Sequence, residues 1–344
     1  MNKSSGSSKP RLYITREIFN EALKKLEGVY DYEVWDRYQH PPYEFLRKKL
    51  VEFDAVLSMP TDRFDCEMIR SISHKIRIIA NMAVGYDNID VECATQHGVY
   101  VTNTPGVLTE ATADLALALI LATARRIVEG DHFVRWGEWW RTGTPFHPKM
   151  MLGMELYGKT LGIIGMGRIG VAVARRAKAF NMKIIYYSRR RLPENVEREL
   201  GAEYRDLDDL LSNSDIISIH VPLTKETRHM INRERLSKVK RGAIIINTSR
   251  GAVIDTEALV EALEKGWIAG AGLDVYEEEP LNPNHPLTRF KNVVLTPHIG
   301  SATRETRLAM ALLAVENLLA FAAGREPPTL VNKEVLRIKP PGFY

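Results

Sequence analysis

Residues 161–170 read Leu161-Gly162-Ile163-Ile164-Gly165-Met166-Gly167-Arg168-Ile169-Gly170. An apolar strand runs directly into three glycines spaced G-x-G-x-x-G, and Val171 to Phe180 continues with helical periodicity. Strand, glycines and helix in that order make a turn suited to a dinucleotide. Gly165 permits the tight bend, Gly167 has no side chain to block a pyrophosphate, and Gly170 lets the helix lie close to the strand. The amides that open the helix, beginning with Arg168 and Ile169, face the anion.

Outward from this turn the pattern alternates on both sides. Downstream, strands are expected at Leu161–Ile164, Lys183–Tyr187, Ile216–Ile219, Ala243–Asn247, Ala269–Leu273 and Val293–Leu295, six in all, as in a doubly wound sheet. Upstream, Leu12–Thr15, Tyr32–Trp35, Ala55–Ser58, Ile76–Ala80 and Val99–Thr102 alternate with helical segments, the mark of a second parallel sheet covered by helices. A long helix over Leu108–Arg126 joins the two sets. A last helix, Arg304 to Ala323, leads to a Pro-rich tail that is expected to return to the first domain. The chain thus divides into 10–104 plus 301–334 and a dinucleotide-binding domain, 105–300. Between Val134 and Tyr157 lie Trp136, Trp139, Trp140, Phe146, Met150, Met151 and Met154 without a clean period. This segment is read as a structureless stretch that forms a subunit interface.

Composition narrows the function. With 344 residues, 45% of them hydrophobic, the chain is long enough for two globular domains. The net charge of +4 comes from scattered rather than striped basic residues, which argues against nucleic acid. The longest apolar run, Leu115 to Ala124, is too short for a bilayer. No signal peptide opens the chain, so a cytoplasmic protein is expected. Residues 1–9 read as a disordered or tag-like start. Cys66 and Cys93 lack metal-ligand spacing; they are read as buried thiols of a reducing compartment, and no metal is expected.

The end of the second strand selects the nicotinamide cofactor. An acid there binds the ribose 2′-hydroxyl of NAD. Here Tyr186-Tyr187 leads into Ser188-Arg189-Arg190-Arg191, with no acid in place. A hydroxyl and guanidinium groups suit a 2′-phosphate, so NADP(H) is the expected cofactor, with NAD(H) still usable.

Three segments follow strand ends, where an open parallel sheet keeps its chemistry. They are Asn247–Gly251, Gly272–Pro280 and Thr296–Ser301. Together they supply a guanidinium, a carboxylate and an imidazole, the set that reduction of a 2-oxo acid needs. A cation stabilises the developing alkoxide and binds the substrate carboxylate, and an acid delivers the proton. Arg250 is assigned to the carboxylate and carbonyl, His298 to the proton, and Glu279 to holding the imidazole protonated. Asp274 is an auxiliary acid. Thr248, Ser249, Arg250 and Asp274 are also counted as cofactor contacts.

These segments resemble the D-isomer-specific 2-hydroxyacid dehydrogenase family over about residues 10–334. The likeness is greatest to its archaeal-type glyoxylate/hydroxypyruvate reductase branch, through Ala83–Asp90, Val101–Pro105 and Pro327–Asn332. The resemblance implies two doubly wound α/β domains, a Rossmann cofactor domain and a flavodoxin-like, discontinuous substrate domain, which close around the cofactor. It implies Arg250, Glu279 and His298 as catalytic residues, backbone amides near Val84 and Gly85 on the substrate carboxylate, and Met59 beside the substrate side chain. It also implies a homodimer and NADPH-linked reduction of glyoxylate and hydroxypyruvate to glycolate and D-glycerate. D-lactate or phosphoglycerate dehydrogenase and a dinucleotide-sensing binding protein are the alternatives. Glyoxylate-type relatives carry a Trp where this chain has Met150, which implies a broader substrate range.

Overall fold

The computed structural model describes residues 9–343. They form two compact units, 9–108 with 303–343 and Thr109–Ala302. The expected disordered or tag-like start falls outside the described residues, apart from an exposed Lys9.

In the first unit the strands β1 (Arg11–Ile14), β2 (Asp31–Val34), β3 (Ala55–Ser58), β4 (Ile78–Asn81) and β5 (Tyr100–Thr102) make one parallel sheet in the order β2-β1-β3-β4-β5. Every residue of β3 and β4 is buried, as helices on both faces of a parallel sheet require. The helix Arg304–Ala322 packs on β4 and on the helix Asn20–Leu26. The chain then seals the sheet edge. Asn332 accepts from the Val101 amide at 2.9 Å and donates to the Val99 carbonyl at 2.9 Å. The tail continues past the expected limit at 334, since Phe343 sets its ring edge against Tyr30 and Phe321.

In the second unit the strands β6 (Thr160–Ile164), β7 (Lys183–Tyr187), β8 (Ala202–Tyr204), β9 (Ile216–Ile219), β10 (Ile244–Asn247), β11 (Gly270–Leu273) and β12 (Val293–Leu295) form a parallel sheet of order β12-β11-β10-β9-β6-β7-β8. The sheet has seven strands where six were expected. The extra strand, β8, is a three-residue edge with one buried side chain, too short for a hydrophobic period. Strand order reverses between β6 and β9, so a crevice opens at their carboxyl ends. The helix Thr109–Ala124 covers β10 and β11 and lies along the helix Arg168–Ala179.

The stretch 134–157 is not structureless: the helix Ile127–Arg135 runs into it, and a one-turn helix, Glu138–Arg141, follows after Gly137 at φ +71°. Neither helix has a buried residue. Trp140 is 88% exposed and Phe146 73%. The cysteines are not free thiols. Cys66 opens the helix Cys66–Ile72 and Cys93 lies in the adjacent helix Val91–Gln96, and their sulfurs are joined in a disulfide with a Cα–Cα distance of 5.5 Å. Helix packing brings together two residues 27 apart in sequence, a pairing that spacing alone does not disclose. Among the described residues no helix is long and apolar enough to cross a membrane.

Candidate active site

The glycine turn after β6 meets the geometric demands of a dinucleotide. Gly165 has φ +99°, and a Cβ there would lie 2.6 Å from the His220 carbonyl oxygen. A Cβ on Gly170 would lie 2.2 Å from the Gly165 oxygen, so only glycine lets the helix start this close to the turn. Around Gly167 a Cβ would meet nothing within 4 Å. Gly167 is the N-cap of the helix Arg168–Ala179, and no side chain caps the first-turn amides, which begin with Arg168 and Ile169. An open cradle over a helix N-terminus fits a pyrophosphate.

His220, given no role in the sequence reading, backs this turn. Its amide donates to the Ile164 carbonyl at 2.7 Å, and its Nε2 lies 2.8 Å from the Ser218 hydroxyl. Burial pushes its imidazole down to about 4, so it stands neutral beneath the turn. Its position directly after β9, at the strand-order reversal, was the available signal.

At the end of β7, Ser188 is half-buried and Arg189 and Arg190 are exposed. Arg191 differs from them. It forks onto Glu197, with both nitrogen–oxygen distances 2.9 Å. The arginine run is therefore not three equivalent phosphate contacts.

The catalytic candidates rise from three neighbouring strands. After β10, Asn247 organises the turn. Its side-chain oxygen accepts from the Ser249 amide and hydroxyl, and its nitrogen donates to the Arg250 carbonyl at 2.9 Å. The Thr248 hydroxyl is buried without a hydrogen-bond partner. The Arg250 guanidinium donates to the Ser249 carbonyl. Gly251 then passes so close to the loop after β11 that a Cβ would sit 1.9 Å from the Tyr276 carbonyl carbon.

After β11, Asp274 is 1% exposed. One carboxylate oxygen accepts from the Thr296 hydroxyl at 2.7 Å and the Ile299 amide at 2.8 Å, and the other from the Gly300 amide at 2.8 Å. This carboxylate is a staple for the loop after β12. The loop presents His298 at φ +53°. Its Nδ1 lies 2.7 Å from Glu279 Oε2, while Glu279 Oε1 accepts from the Tyr276 amide at 3.0 Å. Burial pushes the Glu279 carboxyl up, but the hydrogen bond and charge of His298, the Tyr276 amide and the charge of Arg250 outweigh it. The net is a carboxyl below its ordinary value. Arg250, Glu279 and His298 thus belong to one electrostatic unit.

Met59, Val84 and Gly85 lie in the other unit. Asparagines that the sequence reading passed over fix their backbone. Asn88 donates to the carbonyls of Met59 and Asp62, Asn81 to that of Gly85 at 3.0 Å, and Asn103 to that of Val84 at 2.9 Å. Met59 also donates its amide to the buried Asp62 carboxylate at 2.8 Å.

A doubly wound sheet with an open glycine cradle and an imidazole–carboxylate pair beyond its strand ends defines an oxidoreductase that uses a nicotinamide dinucleotide. Residues 117–300 match the family described as D-isomer specific 2-hydroxyacid dehydrogenase, NAD binding domain. The chain is 65% identical over 335 residues to a glyoxylate reductase of Aeropyrum pernix, covering 97% of this chain and 99% of that one. The crystal structure of the TT0316 protein from Thermus thermophilus superposes with a TM-score of 0.86 at 49% identity, covering 93% of this chain and 99% of the other. An NADPH-dependent glyoxylate/hydroxypyruvate reductase from Sinorhizobium meliloti, in complex with NADP and malonate, gives a TM-score of 0.82 at 36% identity, covering 95% and 98%. The chain belongs to the D-isomer specific 2-hydroxyacid dehydrogenase family.

Proposed function

We propose that this protein reduces glyoxylate and hydroxypyruvate to glycolate and D-glycerate, with NADPH preferred over NADH. The observation that carries the reading is the 2.7 Å contact between His298 Nδ1 and Glu279, in a site whose carboxylate also feels Arg250. Bound reduced nicotinamide supplies the hydride to the keto carbon. The residues of the chain do the rest. Arg250 grips the substrate carboxylate and polarises the carbonyl. Glu279 holds Nδ1 and so leaves Nε2 of His298 to give a proton to the alkoxide oxygen. The amides of Val84 and Gly85 take part of the carboxylate, and Met59 borders the substrate side chain.

The NADPH preference is supported by the absence of an acid at the end of β7 and by the exposed Arg189 and Arg190 beside Ser188. The name of one relative, an NADPH-dependent glyoxylate/hydroxypyruvate reductase, points the same way for the cofactor, and that of the Aeropyrum pernix glyoxylate reductase supports the substrate. Thr248, Ser249 and Asp274 line the cofactor's side of the site in this reading. A homodimer is part of the proposal, supported by the exposed Val134, Trp136, Trp139, Trp140, Phe146 and Leu152. So is a cytoplasmic location, which is compatible with the Cys66–Cys93 bridge because disulfides persist in some intracellular proteins.

The test is loss of NADPH or NADH absorbance with glyoxylate, hydroxypyruvate and pyruvate in parallel. Turnover of the first two, faster with NADPH, is expected. Turnover of pyruvate alone would move the reading to a D-lactate dehydrogenase. NADPH binding without turnover of any 2-oxo acid would move it to a sensor.

A further inference from the structure

The run Ser188-Arg189-Arg190-Arg191 leaves β7 and re-enters regular structure at the helix Glu194–Leu200. Its far end is tied down by a network that phosphate recognition alone does not explain. Glu197, buried in that helix, accepts from both Nε and a terminal nitrogen of Arg191. The same carboxylate accepts from the Tyr186 hydroxyl at 2.6 Å, and that hydroxyl accepts from the Leu192 amide at 2.8 Å. Tyr186 is fully buried in β7. One strand residue, one helix residue and two turn residues therefore close a ring around the segment that carries Arg189 and Arg190.

We propose that Glu197 and Tyr186 are specificity-positioning residues that fix the Ser188–Arg190 turn for the cofactor's 2′-phosphate, with Arg191 as their anchor rather than a phosphate ligand. This rests on the NADPH reading above and assigns the recognition within it. A bidentate guanidinium–carboxylate pair has a single planar geometry, so it sets the backbone of the turn as well as its charge. Without the ring, the long side chains of Arg189 and Arg190 would meet a 2′-phosphate from a turn that must first be ordered, at a cost in affinity. The carboxylate also matters for sign. Arg191 neutralises it, so Glu197 does not repel a phosphate as an acid at the end of β7 would.

The two roles for Arg191 predict opposite outcomes when Glu197 is neutralised. A phosphate ligand held in reserve would be released and strengthen binding. An anchor would be lost and weaken it. The experiment is isothermal titration calorimetry of the whole protein with adenosine 2′,5′-bisphosphate and with 5′-AMP, for wild type, Glu197→Gln and Tyr186→Phe, with thermal melts alongside. Wild type should favour the bisphosphate. Each variant should lose about tenfold in bisphosphate affinity, the worth of one charge-assisted hydrogen bond, while 5′-AMP affinity stays within about twofold, the usual limit of additivity for independent sites. Unchanged or tighter bisphosphate binding in a folded Glu197→Gln protein overturns the proposal, as does an equal loss for both nucleotides. Tyr186→Phe decides the matter if Glu197→Gln fails to fold. If wild type itself does not distinguish the two nucleotides, the NADPH reading falls and this inference falls with it.

Discussion

Replacing Gly251 by alanine separates the geometry of the site from its chemistry, because it leaves the side chains of Arg250, Glu279 and His298 chemically unchanged. A Cβ at 251 would lie 1.9 Å from the Tyr276 carbonyl carbon, 2.1 Å from its oxygen and 2.3 Å from the Glu277 nitrogen. All three neighbours are backbone, so no side chain can swing away. Ordinary contact begins near 3.4 Å, and the turn after β10 must retreat from the loop after β11 by about 1.5 Å to restore normal van der Waals spacing. Overpacking of this kind costs about 1–3 kcal/mol of stability. The catalytic cost is of similar size, since a misplacement of about 1 Å can lower the rate about 100-fold, or about 2.7 kcal/mol. Steady-state kinetics with glyoxylate and NADPH should show that loss in kcat/KM, with a smaller loss of NADPH affinity in fluorescence titration because Thr248 and Ser249 ride on the same turn. Gly242→Ala is the control. Gly242 has φ +83°, is exposed and has open space around its absent Cβ, so alanine there costs about 1–2 kcal/mol of left-handed strain without moving the site. A folded Gly251→Ala enzyme with kcat/KM near wild type would refute the claim that this contact sets the Arg250 turn against the Glu279 loop.

Three further outcomes are expected. His220, held at about 4 in the folded protein against about 6.5 unfolded, binds fewer protons folded than unfolded between those values. Stability is therefore intact above about pH 6.5 and declines as pH falls towards 4, by up to about 3 kcal/mol; melts of His220→Gln should lack that decline, and parallel curves would count against it. Reducing the Cys66–Cys93 bridge opens a loop with a sequence separation of 27, which in the chain-entropy picture removes about 3.5 kcal/mol; a melting temperature indifferent to reductant in denaturant-exposed protein would contradict this. Ser188→Asp places an acid beside Arg189 and should shift the NADPH-to-NADH ratio of kcat/KM toward NADH by about tenfold or more, and an unmoved ratio would remove Ser188 from cofactor selection.

The second unit was the more legible half of the sequence because its signals are local. A strand, three glycines and a helix occupy consecutive residues 160–179, and the strands β7, β9 and β12 were bounded to the residue. The segments carrying Arg250, Glu279 and His298 each follow an apolar strand directly, so their placement beyond strand ends needed no long-range information. What sequence did not show depends on contacts between elements. The Cys66–Cys93 bridge needs two helices to pack, Asp274 becomes a staple only when the loop after β12 folds over it, and Arg191 is diverted by a carboxylate on the helix that follows it. Residue types announced charge at each place, and partners decided its use.

The loop after β11 governs the site more than the identities of the three functional side chains suggest. Asp274 fixes the loop after β12 on both sides of His298, through Thr296 before it and Ile299 and Gly300 after it. Further along the same loop, Glu279 fixes the ring of that histidine. Between them Tyr276 donates its amide to Glu279, sends its hydroxyl to the Thr296 carbonyl at 2.9 Å, and offers its own carbonyl as the surface on which Gly251 rests. Backbone position, ring orientation and the approach of the Arg250 turn are therefore all referred to the single stretch from Asp274 to Glu279. A histidine held at φ +53° carries backbone strain that only such redundant anchoring maintains. That redundancy presents the imidazole at a fixed distance from its carboxylate before any substrate arrives, so in the proposed reaction proton transfer need not wait on reorganisation of the donor.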